Sequence, residues 1–349
     1  MIYLGAGQLM ATARDLFLAV GAPEDIATLV SRSLVDSNLV GHDSHGVIRI
    51  PWYIERVERG VVQAKARPSI LAETDTTAIV KGNWAFGQLA ASYATEILVR
   101  KAAESHVAVV SIVECNHIGR LGEYAECIAN HRMIGMVAVG GATSPFNRVA
   151  PYGGAGRALG TNPYSFAVPA GKCAPFVADF ATSVVAEGKL QVARAAGAKV
   201  PEGLILDAQG RPTTEPLDFY EGGMLLPFGG HKGYALCLLA DLLGSYLAGA
   251  EAMAEPPNTV GAFMMALRID TFRPFAEFAE AVDRRFAEIK AVPPAPGFDE
   301  VLIPGEPETR SRMKRLDEGI PLPEDTWNRI LAVAGRYGVL PRAHAETSW

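Results

Sequence analysis

The sequence predicts an α/β fold, and three observations carry that reading. Two continuous apolar, β-branched runs, VAVVSIVE at 107–114 and IGMVAVGG at 134–141, have the composition of strands buried on both faces. Segments rich in Ala, Leu and Glu with few breakers precede them, over 87–105 and 121–130, and read as helices. Short strand-like runs punctuated by Gly and Pro follow, which favours mixed or antiparallel pairing over a continued strand-helix-strand series.

From Leu9 to Val40 the apolar residues recur at helical spacing, with Gly21 and Pro23 between them, so the chain opens with a helical hairpin. SILAET and TTAIVKG, within 68–82, read as two strands flanking Asp75. After the central runs, SFAVPAG at 165–171 and CAPFVADFA at 173–181 read as short strands, and 200–230 as loop. His231 to Ala250 reads as a long buried helix; its apolar stretch, LCLLADLLGSYLAGA at 236–250, is too short for a membrane span and carries Asp241. MMALRI at 264–269 is a strand and Ala276 to Lys290 an amphipathic helix. PPAP at 293–296 and PGEPETR at 304–310 read as linkers before a last helix, Pro323 to Tyr337. Terminal helical pieces cannot bury their faces alone, so the C-terminal segment is expected to pack on the N-terminal helices.

Composition narrows the function classes. The 349 residues are 49% hydrophobic and 20% charged, the balance of a globular chain rather than a disordered one. A net charge of −6 gives no basic footprint for nucleic acid. The first twenty residues lack a basic leader before an apolar core, and the four cysteines form no C-x-x-C pair. A cytoplasmic protein with no metal and no membrane partner is expected.

Two glycine-rich stretches fail as Rossmann fingerprints. GAGQLM at 5–10 has Met10 in the third position, and GAGRALG at 154–160 has the wrong spacing and runs into a strand. The densest chemistry is GHDSHGVIRIPWY at 41–53. His42 and His45 lack a third metal ligand, and Ser44 beside His45 lacks a nucleophile elbow. ECNHIGRLGEYAE at 114–126 puts His117 at the carboxyl end of a buried strand, where ligands bind in α/β folds. GTNPYSFAVP at 160–169 and DFATSVVAEGK at 179–189 offer backbone donors and hydroxyls suited to ribose and phosphate, although ordinary loops share this composition. LPFGGHKGYAL at 226–236 sets Lys232 at a helix start, an arrangement suited to an anion, or simply a solvated lysine.

GHDSHGVIR, NHIGRLG, GTNP, DFATSVVAEGK, GGHKGYAL and PGE, in this order over nearly the whole chain, resemble the malate/L-lactate dehydrogenase family that is unrelated to the Rossmann lactate and malate dehydrogenases. The family includes ureidoglycolate, sulfolactate and hydroxycarboxylate dehydrogenases and cyclic ketimine reductases. The resemblance implies a family-specific mixed-sheet nucleotide-binding domain over 67–304, with a helical domain from 1–66 and 305–349. It further implies NAD or NADP as cofactor, a small 2-hydroxy or 2-oxo carboxylate as substrate, and a homodimer with a shared active site. Reduction of a cyclic imino acid is the alternative.

By the same resemblance Ser44, His45 and Asp179 form a catalytic relay, and His117 competes with His45 as acid/base. Arg49 holds the substrate carboxylate, with Tyr53 and Arg120 beside it. Gly119, Leu121, Gly160, Thr161, Asn162, Asp179, Phe180, Ala181, Lys232, Pro304, Gly305 and Glu306 match cofactor contacts. Arg120 and His231 stand where many members have a small residue and Tyr, which points to the subgroup acting on 2-hydroxycarboxylates. Arg120 would meet either a second substrate carboxylate or a cofactor phosphate.

Overall fold

The computed structural model describes residues 1–141, 147–252 and 260–342. Strand β1 (Ile2–Leu4) leads into α1 (Ala6–Ala19) and α2 (Glu24–Leu39), the expected hairpin. Pro23 occupies the cap of α2, and Glu24 and Asp25 in its first turn suit the helix dipole. Two 3-10 turns over 43–49 then deliver the chain to α3 (Ile50–Glu58), with Pro51 at its start. A hairpin, β2 (Ser69–Glu73) and β3 (Thr77–Lys81), precedes α4 (Gly87–Ser105), β4 (Val107–Cys115), α5 (Gly122–Asn130) and β5 (Met133–Gly141). The pair β6 (Tyr164–Val168) and β7 (Phe176–Phe180) follows, then α6 (Glu187–Ala195).

The stretch expected to be loop folds into β8 (Ile205–Leu206), β9 (Pro212–Thr213), α7 (Pro216–Tyr220) and β10 (Met224–Leu225), a small antiparallel sheet over a core of Ile205, Phe219 and Leu225. The remaining elements are α8 (His231–Asp241), β11 (Val260–Arg268), α9 (Phe275–Lys290), α10 (Glu306–Glu318), β12 (Ile320–Leu322) and α11 (Glu324–Arg336).

The main sheet has the order β2-β3-β4-β11-β5-β6-β7, and β3–β4 is its parallel pair. The α5 crossover from β4 to β5 leaves one vacant position between them. Strand β11 fills it antiparallel to both, setting Met264 opposite Val110 and Val137. A mixed sheet therefore results, as expected, although sequence reading gave β11 no place in it. Ala90, Ala94, Leu98, Tyr124 and Ile128 of α4 and α5 cover one face. On the other face, Ala240 of α8 packs with Ala138, Tyr164 and Phe263. A π-helical turn, Leu242–Tyr246, continues α8 and lies so close to the sheet that a Cβ on Gly244 would stand 2.3 Å from the Gly140 nitrogen. Only glycine tolerates that approach.

A second core joins the chain ends. Leu16 and Phe17 of α1, Val30 and Leu34 of α2 and Ile54 of α3 pack with Ile320, Ile330 and Val333. Strand β12 pairs antiparallel with β1, so the C-terminal segment packs on the N-terminal helices. The end of the implied helical domain, 343–349, lies outside the described residues.

Two expectations fail for physical reasons. The 231–250 helix is not fully buried: Leu236, Leu239, Leu242, Tyr246 and Leu247 face outward, Leu247 at 59% exposure. Helix α10 stands where a linker was expected. It buries no residue, and polar contacts fasten it instead, with Arg312 and Arg315 paired to Asp36 and Asp43. An apolar-periodicity reading has nothing to detect in such a helix.

Candidate active site

The 41–49 turn is organised from α2. Fully buried Asn38 accepts from the Val47 nitrogen at 2.8 Å and donates to Asp43 Oδ1 at 2.6 Å. A Cβ on Gly46 would collide with that side chain at 2.2 Å, so the motif's glycine admits the asparagine that braces it. Arg315 grips both Asp43 oxygens, at 2.6 and 3.0 Å. The braced turn presents Ser44, His45 and Arg49 together. Ser44 Oγ lies 3.0 Å from His45 Nδ1, and Arg49 Nε donates to the Ser44 carbonyl at 2.6 Å. The terminal nitrogens of Arg49 have no hydrogen-bond partner among the described residues.

His117 reaches the same place from the end of β4. Its ring stacks on His45, with centroids 5.5 Å apart and planes 12° from parallel. Asn116 fixes the backbone beneath by donating to the carbonyls of Trp84 and Ala85, and it accepts from Arg56 Nη2 at 2.9 Å. Tyr53 Oη lies 2.7 Å from His117 Nδ1 and receives Gln88 Nε2 at 2.8 Å. Arg49 and Arg56 both lie over the Trp52 ring.

Both imidazoles are held neutral. Burial, then the Arg49 charge, pushes His45 down to about 3, and burial with Arg49 and His45 lowers His117 well below the usual histidine range. Burial likewise raises the Tyr53 phenol. The result is a half-buried pair of neutral imidazoles beside a guanidinium, a setting suited to a carboxylate with a carbonyl or hydroxyl next to it.

Two of the expected site residues make their contacts elsewhere. Arg120 is 2% exposed, and its guanidinium is committed to Glu126 at 3.1 Å and Asp36 at 3.2 Å. Its guanidinium is enclosed among these carboxylates, an arrangement that fits a structural cation. Asp179 does not join Ser44 and His45 in a relay; its Oδ2 accepts from the Gly122 nitrogen at 2.6 Å, and burial raises its carboxyl. Beside this group Glu123, bonded by Ser33 Oγ at 2.6 Å, is pushed up to about 7 by burial.

Several of the expected cofactor residues lie at the start of β6 and the end of β7, whereas the Pro304–Gly305 turn packs on the start of β7. Thr161 offers its carbonyl to the nitrogen and hydroxyl of Thr182, at 2.8 and 2.9 Å. Asn162 accepts from the Gly141 nitrogen and donates to the Cys237 carbonyl, and Gly160 lies tight against its side chain. Phe180, 37% exposed, stands edge-on to Phe228 at 5.9 Å, with Ala181 following it. Gly119, in left-handed backbone, and buried Leu121 line the turn into α5. The Pro304 carbonyl accepts from the Val177 nitrogen, and Gly305 turns into α10 against β7.

Glu306 braces this turn through Lys290, at 2.6 and 2.7 Å, and the Ile303 nitrogen, so its carboxylate is already occupied. Lys232 is exposed in the first turn of α8, unpaired among the described residues, behind the left-handed Gly229 and Gly230. Free helix amides with a lysine fit the phosphates of a dinucleotide, and the exposed Phe180 fits a flat ring. Among the described residues no three His, Cys, Asp or Glu side chains gather as metal ligands, and no described helix is long and apolar enough to cross a membrane.

Sequence reading missed Gln88, Trp52 and Arg56. Arg56 lies three residues after Tyr53 on α3, so helical spacing alone places it on the same face. Gln88, a lone amide in an apolar first turn, gave only a weak signal.

Comparison with known proteins shows the family. Residues 5–331 match the family described as malate/L-lactate dehydrogenase. The chain is 36% identical over 329 residues to the L-sulfolactate dehydrogenase of Methanothermobacter thermautotrophicus, covering 92% of this chain and 93% of that protein. It is 36% identical over 242 residues to a pyrroline/piperideine-2-carboxylate reductase of Pseudomonas putida, covering 69% and 70%. The crystal structure of malate dehydrogenase from Entamoeba histolytica superposes with a TM-score of 0.92 at 27% identity, covering 98% of this chain and 99% of that one. With the mixed sheet, the paired histidines and these matches in place, the chain belongs to the malate/L-lactate dehydrogenase family.

Proposed function

We propose that this protein is an NAD- or NADP-dependent dehydrogenase that interconverts a small 2-oxo acid and its 2-hydroxy acid, of malate or lactate type. The observation that carries the reading is the half-buried pair of neutral imidazoles beside Arg49. When bound, the nicotinamide supplies the hydride. Gly160, Thr161, Asn162, Phe180, Ala181, Lys232 and the Pro304–Gly305 turn would hold the cofactor. Arg49 binds the substrate carboxylate through its terminal nitrogens, which have no partner among the described residues. Burial lowers His45 most and the Arg49 charge next; the bound carboxylate offsets the second cause and so favours a proton on the ring. His45 gives this proton to the carbonyl oxygen in reduction and takes it back in oxidation, with Ser44 orienting the ring. His117 supplies a second hydrogen bond to the same oxygen.

A panel of oxaloacetate, pyruvate and 2-oxoglutarate with NADH and with NADPH tests the reading, and turnover of at least one acid is expected. Faster reduction of piperideine-2-carboxylate than of any 2-oxo acid would assign the imino acid instead. Replacement of Arg49 by lysine loses the bidentate fork. It is expected to raise KM for the acid about tenfold or more, with a smaller change in kcat; an unchanged KM would remove Arg49 from carboxylate binding.

The apolar outer face of α8 and its π turn supports a homodimer, since exposed patches of this kind mark interfaces. Sedimentation is expected to give twice the 37.2 kDa chain mass, and Leu239→Asp with Leu247→Asp is expected to give monomers. A monomeric parent protein would contradict this.

A further inference from the structure

We propose that Gln88 and Tyr53 lock His117 in one tautomer, with its proton on Nε2, so that His117 is a fixed hydrogen-bond donor and His45 is the imidazole that changes protonation. The donor roles rest on the reaction proposed above, whereas the lock itself does not.

The chain of bonds starts at Gln88, in the first turn of α4 and only 1% exposed. Its Nε2 donates to Tyr53 Oη at 2.8 Å, so the amide meets Tyr53 as a donor, while its Oε1 has no partner among the described residues. A phenol oxygen that accepts on one side points its own proton to the next acceptor, and His117 Nδ1 stands 2.7 Å away. Nδ1 therefore accepts, and the proton of the neutral ring sits on Nε2. A protonated His117 would set an N–H against the Tyr53 O–H and leave the buried phenol proton without a partner. The groups that face His117 agree: Tyr53, the Trp52 edge, the His45 ring and the Arg49 and Arg56 cations, none of which stabilises a positive charge by a carboxylate.

His45 is differently placed. Its Nδ1 faces Ser44 Oγ, an exposed hydroxyl, and a hydroxyl donates or accepts by rotating. The ring can therefore carry its neutral proton on either nitrogen or hold two protons without breaking that contact. In reduction the proton passes from His45 to the carbonyl oxygen and solvent replaces it. His117 stays neutral throughout, donating to the same oxygen from Nε2.

The test is nitrogen NMR of protein labelled with 15N-histidine, without substrate, the His117 signals being identified by their loss in His117→Gln. The expected spectrum shows protonation at Nε2 with no titration between about pH 5 and 8, around the ordinary histidine pKa. A carboxylate can only accept, so Gln88→Glu is expected to reverse the chain and move the His117 proton to Nδ1. Gln88→Met, which removes the donor, is expected to give a mixture of tautomers and serves if the charged variant does not fold. In turnover, Gln88→Glu is expected to lower kcat for 2-oxo acid reduction by about 10²–10³-fold, the loss typical of one removed donor. KM, which Arg49 sets, should stay within about threefold. Protonation at Nδ1 in the parent protein, a His117 that titrates in this range, or a spectrum unmoved in both variants would overturn the lock. Absence of turnover by the parent protein would overturn the proposed reaction and with it the donor roles, while the spectrum decides the lock separately.

Discussion

Replacement of His45 by alanine is expected to lower kcat for 2-oxo acid reduction by about 10²–10⁴-fold, the contribution of a positioned proton donor. The pH dependence gives the sharper signature. Burial and the Arg49 charge hold His45 far below the ordinary histidine value, so the free protein carries little of the protonated form at neutral pH. The protonated fraction grows as pH falls, and kcat/KM for reduction follows the free enzyme. It is therefore expected to keep rising through pH 6.5 towards more acid conditions, without levelling near the ordinary histidine pKa. His45→Ala should abolish that rise, and His117→Ala should retain it with a lower rate throughout. A rise lost in His117→Ala and kept in His45→Ala would exchange the two roles, and a plateau beginning near pH 6.5 would contradict the lowered His45.

Arg120→Met is expected to cost about 3–5 kcal/mol of unfolding free energy, because removing one partner of a buried ion pair leaves charges without compensation. Asp36 and Glu126 both bond this guanidinium, and Asp179 lies within its field. Arg312 still reaches Asp36 at 2.7 Å in the variant, so the uncompensated charge falls chiefly on Glu126. Denaturant unfolding measures the loss. A change below about 1 kcal/mol, the range of an exposed pair, accompanied by a raised KM for dicarboxylic acids alone, would return Arg120 to the substrate.

These two residues also show how far the sequence was legible. The longer strands and most helices could be read because burial leaves a periodic trace: 87–105 is α4 to the residue, and the runs at 107–114 and 134–141 lie within or along β4 and β5, whereas β1, β8, β9, β10 and β12, two or three residues each, are too short to leave one. The place of β11 between those strands could not be read, since insertion into a sheet depends on non-local pairing and leaves the strand's own pattern unchanged. Helix α10 escaped because it is fastened by charge rather than by an apolar stripe. At the site, the dense polar motifs marked Ser44, His45, Arg49 and His117, which the fold brings together from two separate turns. Motif resemblance set Arg120 and Asp179 beside them, but what each side chain touches is decided by packing: Arg120 meets Asp36 across 84 residues of chain and Asp179 meets the Gly122 nitrogen across 57, which no local string reports. Gln88 is invisible for the same reason: its significance is a contact across 35 residues of chain.

In the proposed reaction Arg49 and the paired histidines select a carbonyl that carries an adjacent carboxylate. Reduction of pyruvate and oxaloacetate, followed by loss of reduced nicotinamide absorbance, should be compared with that of the matching neutral ketones under identical conditions. Turnover of at least one acid is expected, with kcat/KM for its neutral counterpart lower by about 10²-fold or more, since a binding cation left unpaired costs on the order of 3 kcal/mol. Equal reduction of acid and neutral ketone, or no reduction of any 2-oxo acid with either cofactor, would contradict it.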